Sequence, residues 1–362
     1  MPDIRTALTV EDDRFLRVLG IVLDPSTPLE RRAAFADFFS NDEPDFEAYC
    51  ARVRARVAGL FPCAVRLVKT QDAMREALPG STALVVESLC VADAELALAS
   101  GLRVVQKFGL QLRNIDTAAC AARGVKVLTI RRRANVACAE HAMALMLMLA
   151  KRLNRLIGRI TVEHLAEIGL EYKPFDRRHT PNSNWARIPA LRILCGTTLG
   201  IIGLGEIGRE IAMRAAAFGM RILYHQRHRL PANEGRELKA TFLPLNELLA
   251  QSDWVVPQLP GGTATRGFIG RGELAQMKPG AFLVNIARAD IVDREALIEA
   301  LRARRLGGFA LDPLYEAPGR TDDELLAFDN VVLTPHIAAQ PRFNALDDLA
   351  DMMEQLAKVL AT

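Results

Sequence analysis

The sequence predicts an α/β protein built as two doubly wound, parallel-sheet domains. Three observations carry this reading. The chain has 362 residues, more than twice an average domain of roughly 150. Short apolar runs alternate with helix-compatible stretches in two separate series, residues 65–130 and from Leu199 onward, the pattern of β-α-β units. Between the series lie one long apolar helix and a connector without periodicity.

The first 60 residues fit the alternation least well. The apolar run at 16–23 reads as an early strand. Residues 24–45 carry Pro25, Pro28 and Pro44 among charges and read as an insertion, and 46–57 reads as a helix. Strands are then expected at 65–68, 83–86, 104–106 and 125–130, with helices at 71–78, 92–99 and 115–122. After Arg131-Arg132-Arg133, residues 136–156 read as one helix, apolar around most of its circumference and therefore buried on two sides. Residues 163–192, with Pro174, Pro181, Pro189 and Trp185, read as an extended connector. The second series predicts strands at 199–202, 221–224, 254–256, 282–285, 309–311 and 331–333, and a helix at 206–217.

Half of the residues are hydrophobic and a quarter are charged, which excludes a disordered or collagen-like chain. A formal net charge of +3 leaves no concentrated positive field for nucleic-acid binding. The six cysteines (Cys50, Cys63, Cys90, Cys120, Cys138 and Cys195) show no metal-ligand spacing and suit reduced thiols in the cytoplasm. No basic start followed by an apolar run marks a secretory signal. The longest apolar stretch, 142–150, is too short to cross a bilayer, so no membrane association is expected.

Chemistry first enters at Gly203-Leu204-Gly205-Glu206-Ile207-Gly208, a G-x-G-x-x-G between an apolar strand and a helix. Gly203 permits the tight turn, Gly205 lets the backbone approach a pyrophosphate, and Gly208 lets helix and strand pack closely, with phosphates at the helix N-terminus. A glycine-rich turn of any β-α unit is the plainer alternative. At the end of the next strand, where an acidic side chain would bind an NAD ribose, stands Gln226, followed by Arg227 and Arg229. Two cations without an acid favour the 2′-phosphate of NADP over NAD; an exposed basic loop is the alternative.

Three later segments, 285–293, 310–318 and 330–339, join the glycine loop, Ala139-Glu140-His141 and the 276–280 turn. Together they resemble the D-isomer-specific 2-hydroxyacid dehydrogenases over roughly 104–339. The resemblance implies a Rossmann-type cofactor domain, 131–336, inserted into a discontinuous flavodoxin-like substrate domain, 1–130 with 337–362, facing it across a cleft. It also implies a homodimer, NADP or NAD as cofactor, and a small anionic substrate, a 2-oxo or D-2-hydroxy acid. Arg288 matches the substrate arginine and His336 the catalytic histidine. Glu206, Ile207, Pro260 and Asp312 fall among the cofactor-facing positions, and Gly109, Leu110 and Gln111 on the substrate loop.

Elementary chemistry agrees with two of these roles. A guanidinium fork can hold an α-oxo carboxylate and polarise its carbonyl, and an imidazole can pass a proton near neutral pH. An ion-pair role for Arg288 and a buried structural role for His336 are the alternatives.

The chain also departs from the family pattern. The family's glutamate position falls on Ala317, with Glu316 one residue early, so that Glu316 either reaches His336 through an altered loop or leaves the histidine without a carboxylate partner. Gln111 and Arg113 occupy the places of a glycine and an aspartate. Arg131 to Arg133 replace a neutral turn and read as a solvated face, with an anion attractor or a strand cap as the alternatives. His141 reads as a packed residue, Glu140 as a helix contact, and Trp185 as closing either a cleft or a dimer interface. Two competing functions remain open: a non-catalytic dinucleotide-binding protein of corepressor type, and a dehydrogenase of formate or phosphite.

Overall fold

A computed structural model describes residues 7–361. The chain divides into two compact units, one reaching Val136 and resuming at Gln340, the other spanning Ala137–Ala339.

The first unit is a five-stranded parallel sheet. Its strands are β1 (Ala7–Glu11), β2 (Ala64–Val68), β3 (Ala83–Val86), β4 (Val104–Lys107) and β5 (Lys126–Leu128), ordered β2-β1-β3-β4-β5. That is the flavodoxin-like order, in which the reversal beside β1 opens a crevice at the strands' carboxyl ends. The helices Arg17–Leu23, Phe46–Arg56 and Phe343–Ala361 bury one face, and a smaller core around Met74, Leu96 and Cys120 covers the other. Helix starts follow local chemistry: the side chains of Asp45, Thr70 and Asp116 each accept a bond from the amide three residues on.

One expectation fails in this unit and two gain detail. The run at 16–23 is a helix, Arg17–Leu23, and the first strand lies ahead of it at Ala7–Glu11. A short unbroken apolar run has no period to separate the two states. Residues 24–45 are not a bare insertion. They contain the helix Leu29–Phe39, whose Phe35 and Phe39 join a chain of rings running through Phe46 to Tyr49. Arg131 and Arg133 are exposed, as a solvated face would be, but Arg132 and Arg133 also make specific contacts. The Arg132 guanidinium lies 4.0 Å over the Phe108 ring and 3.2 Å from Glu87, while Arg133 pairs at 2.8 Å with both Asp348 and Asp351. The long helix consequently starts early, at Arg133. It ends at Lys151, where Arg152 takes φ +53, so the single helix expected to 156 is broken.

The second unit is a seven-stranded parallel sheet. Its strands are β6 (Thr198–Ile202), β7 (Arg221–His225), β8 (Ala240–Phe242), β9 (Trp254–Pro257), β10 (Phe282–Asn285), β11 (Gly308–Leu311) and β12 (Val331–Leu333), ordered β12-β11-β10-β9-β6-β7-β8. The series β8-β7-β6-β9-β10-β11 is the Rossmann order 3-2-1-4-5-6, with one strand added. The three-residue β8 escaped the sequence reading. Ala139, Ala142, Met146 and Leu149 of the long helix pack into the core of this sheet. The connector holds one short helix, Val162–Ala166, and Trp185 rests edge-on against Tyr172 at 5.7 Å.

Candidate active site

The glycine loop leaves β6, where the strand order reverses between β7 and β9. Gly203 has φ +97, and a Cβ there would lie 2.4 Å from the carbonyl oxygen of Gln258. A Cβ on Gly208 would lie 2.4 Å from the carbonyl oxygen of Gly203. Both positions are closed by backbone. Gly205 differs: nothing stands within 4 Å of where its Cβ would be. It is also the N-cap of the helix Glu206–Ala217 and supplies no side chain to its first amides. An open approach to uncapped amides at a positive helix end suits a diphosphate, so this loop fits a dinucleotide.

Beyond β7, Gln226 bridges the loop. Its Oε1 accepts from the Leu204 amide at 3.2 Å, and its Nε2 donates to the carbonyl of His228 at 2.6 Å. Arg227 and Arg229 are exposed, Arg229 lying 5.8 Å from the centre of the Phe242 ring. The nearest acidic side chain in sequence, Glu234, is paired with Arg209.

Arg288 follows β10. Buried Asn285 shapes this turn, accepting from the Ala287 amide at 3.0 Å and donating to the Arg288 carbonyl at 2.7 Å. The Arg288 side chain runs along Gly261, next to Pro260, where a Cβ would lie 3.0 Å from its Cγ. One guanidinium nitrogen donates to the Ala287 carbonyl at 2.6 Å, and no acidic side chain pairs with it among the described residues. It keeps donors for an anion.

His336 follows β12 and is exposed, at φ +58, its amide donating to the carbonyls of Asp312 at 3.0 Å and Thr334 at 2.9 Å. Asp312, at the end of β11, is fully buried. Its Oδ1 accepts from the Thr334 hydroxyl at 2.6 Å and the Ile337 amide at 2.8 Å, and its Oδ2 from the Ala338 amide at 2.9 Å. His141 Nε2 lies 3.1 Å from Thr334 Oγ1 and 3.4 Å from Asp312 Oδ1. Burial pushes the Asp312 carboxyl up, but these bonds outweigh it and hold the group below the usual carboxylate range.

The Asp312 carboxylate, expected among the cofactor-facing positions, takes its bonds here from Thr334, Ile337 and Ala338. One expected role changes. Glu316 does not reach His336. It is exposed, with no bond or ion pair to the ring among the described residues, and Arg320 feels its charge. The cause is its neighbour Tyr315, which turns inward to donate to the Val292 carbonyl at 2.8 Å. Gly109, Leu110 and Gln111 follow β4 in the first unit, where the Gly109 carbonyl accepts from the Ile130 amide at 3.1 Å. His141, read as merely packed, and Thr334 belong to the Asp312 network; no spacing in the sequence links residues 141, 312 and 334. Among the described residues there is no metal-type cluster and no helix long and apolar enough to cross a membrane.

The description "D-isomer specific 2-hydroxyacid dehydrogenase, NAD binding domain" matches residues 143–338, more than half of the chain. The chain belongs to this family. It is 39% identical to a glyoxylate reductase of Thermococcus gammatolerans, over 70% of this chain and 71% of that one. Over 74% of this chain and 81% of the other, it is 33% identical to a hydroxypyruvate reductase of Thermotoga maritima. The structure of the PH0520 protein from Pyrococcus horikoshii superposes with a TM-score of 0.58 over 98% of this chain and 92% of that one, at 23% identity, a likeness of fold. The protein is accordingly an oxidoreductase that uses a nicotinamide dinucleotide to interconvert 2-oxo and 2-hydroxy acids.

Proposed function

We propose that this dehydrogenase reduces a small 2-oxo acid to the D-2-hydroxy acid with a preference for NADPH, using Arg288 to hold the substrate and His336 to protonate it. One observation carries the reading: within the second unit, Arg288 and His336 leave the carboxyl ends of β10 and β12, the edge from which the glycine loop leaves β6, and both are exposed. Arg288 has guanidinium N–H groups for the substrate carboxylate and the carbonyl oxygen, which it polarises. The His336 imidazolium gives its proton to that oxygen during reduction, and the neutral ring takes it back during oxidation. When bound, the dinucleotide supplies or accepts the hydride. Gly109, Leu110 and Gln111 are retained as proposed substrate contacts. A non-catalytic role has no chemical need for either Arg288 or His336.

Preference for the 2′-phosphate rests on Gln226, Arg227 and Arg229. The Gln226 side chain is neutral, both arginines are exposed, and Glu234 is neutralised by Arg209. A homodimer is supported by exposed Leu153, Ile157, Ile160, Val162, Leu191 and Ile193, which fall in two short stretches of the chain. Six free, scattered cysteines support a cytoplasmic location.

The test is His336→Ala. Reduction of a panel of 2-oxo acids, beginning with glyoxylate and hydroxypyruvate, is followed at the absorbance band of the reduced nicotinamide. Turnover should fall by at least about 100-fold, the low end of what general acid–base catalysis contributes, with cofactor affinity nearly unchanged. Equal loss of both would make His336 a structural residue and end the proposal.

A further inference from the structure

The acid–base reading requires His336 to be aimed, and its own surroundings do little of the aiming. The ring is exposed and makes no hydrogen bond among the described residues, while its backbone sits at φ +58, a region that non-glycine residues seldom occupy. Such a conformation persists only where neighbouring structure over-determines it. Here the two amides that follow, those of Ile337 and Ala338, converge on the two oxygens of the Asp312 carboxylate at 2.8 and 2.9 Å. Successive amides directed at one anion form a nest, and this nest is filled by the protein's own side chain. From the other side, the His336 amide donates to the Asp312 main-chain carbonyl. A single residue therefore grips residues 336, 337 and 338.

Asp312 is held in turn. Thr334 spends its hydroxyl proton on Asp312 Oδ1 at 2.6 Å, so its oxygen can only accept from His141. The 3.1 Å approach of His141 Nε2 then requires the proton to be on that nitrogen, directed at Thr334 Oγ1 with Asp312 Oδ1 close beside it. The arrangement runs from the long helix Arg133–Lys151 through a buried carboxylate to the turn that carries the acid–base ring.

We infer that Asp312, Thr334 and His141 form a positioning element that sets the orientation of His336. The inference rests on the proposed proton-transfer role of His336. Loss of the grip lets φ at 336 relax, and a ring displaced by about 1 Å loses on the order of 100-fold in rate. Substrate capture by Arg288 does not involve these bonds.

The experiment uses the full chain with Asp312→Asn, Thr334→Ala, Thr334→Ser and His336→Ala. Amide hydrogen exchange is measured without ligand, and kcat and KM for glyoxylate are measured at saturating NADPH. Asp312→Asn and Thr334→Ala should speed exchange of the Ile337 and Ala338 amides and lower kcat about 100-fold, with KM for glyoxylate within about threefold. Thr334→Ser, which restores the hydroxyl, should recover slow exchange and most of kcat. If Asp312→Asn does not fold, the two Thr334 variants decide the matter. Wild-type kcat in both network variants, beside an inactive His336→Ala, overturns this inference alone. Wild-type kcat in His336→Ala overturns the proton-transfer reading beneath it, and the exchange rates then report only whether the network holds the turn. Equal failure of Thr334→Ser and Thr334→Ala overturns the role of the hydroxyl.

Discussion

Gly205 and Gly208 stand three residues apart at one strand-to-helix junction, and the structure gives them opposite reasons to be glycine. A methyl group on Gly208 would lie 2.4 Å from the Gly203 carbonyl oxygen, a backbone atom that cannot move without opening the turn. Overpacking of this kind costs about 1–3 kcal/mol, more than the roughly 1 kcal/mol that alanine returns in helix propensity. A methyl group on Gly205 meets nothing, and φ −75 with ψ −159 is extended backbone that alanine adopts freely. Its stability change should stay within about 0.5 kcal/mol, because a stiffer unfolded chain offsets a poorer N-cap. Cofactor binding behaves differently, since that methyl group fills the space through which a phosphate oxygen approaches the amides. Loss of one charge-assisted bond, about 1.5–3 kcal/mol, is roughly a 10- to 150-fold weaker Kd. The assay pairs a thermal melt without cofactor with a titration of reduced-nicotinamide fluorescence. Gly205→Ala should melt like wild type and bind poorly, and Gly208→Ala should melt earlier. Tight binding by Gly205→Ala, or equal destabilisation by the two variants, would refute the assignment of the open space to a phosphate.

Two further outcomes test the finer proposals. Each arginine that engages a 2′-phosphate should favour NADP by about fivefold, a charge-assisted bond of roughly 2 kcal/mol replacing a neutral one of about 1. Gln226→Asp combined with Arg227→Ala should erase or reverse the kcat/KM ratio between the cofactors, and a wild type that favours NAD would sink the preference. Ile157→Asp combined with Ile160→Asp should halve the mass measured by light scattering if that apolar stretch lies in the dimer interface; an unchanged dimer places the interface elsewhere.

Legibility of the sequence followed the physics of each feature. The glycine loop could be read because close backbone approach admits only glycine. The helix Glu206–Ala217 could be read because an apolar period of 3.6 begins directly after that loop. The central strands β9, β10 and β11 are buried throughout, and their apolar runs end at polar turns. The run at 16–23 offered no such punctuation, and its helical state is set by packing among Val53, Leu60 and Met353. β8 is three residues long and recognisable only from its pairing with β7. The partners of Arg133 lie more than 200 positions away, beyond the reach of any local charge pattern.

Asp312 illustrates the harder limit. Its place in the family pattern suggested a side chain directed at the cofactor, yet its burial and its partners, Thr334, Ile337 and Ala338, emerge only when β11 and β12 lie side by side. The missing family glutamate at Ala317 gains a different meaning in that light. Glu316 points outward, so nothing acidic braces the His336 ring among the described residues. The buried carboxylate behind the turn braces the histidine's backbone. Ring support by a carboxylate stabilises an imidazolium, whereas backbone support fixes only direction. These are separable contributions to the proton transfer proposed for His336, and the Asp312 grip would supply the second where Ala317 stands in place of the residue expected to supply the first.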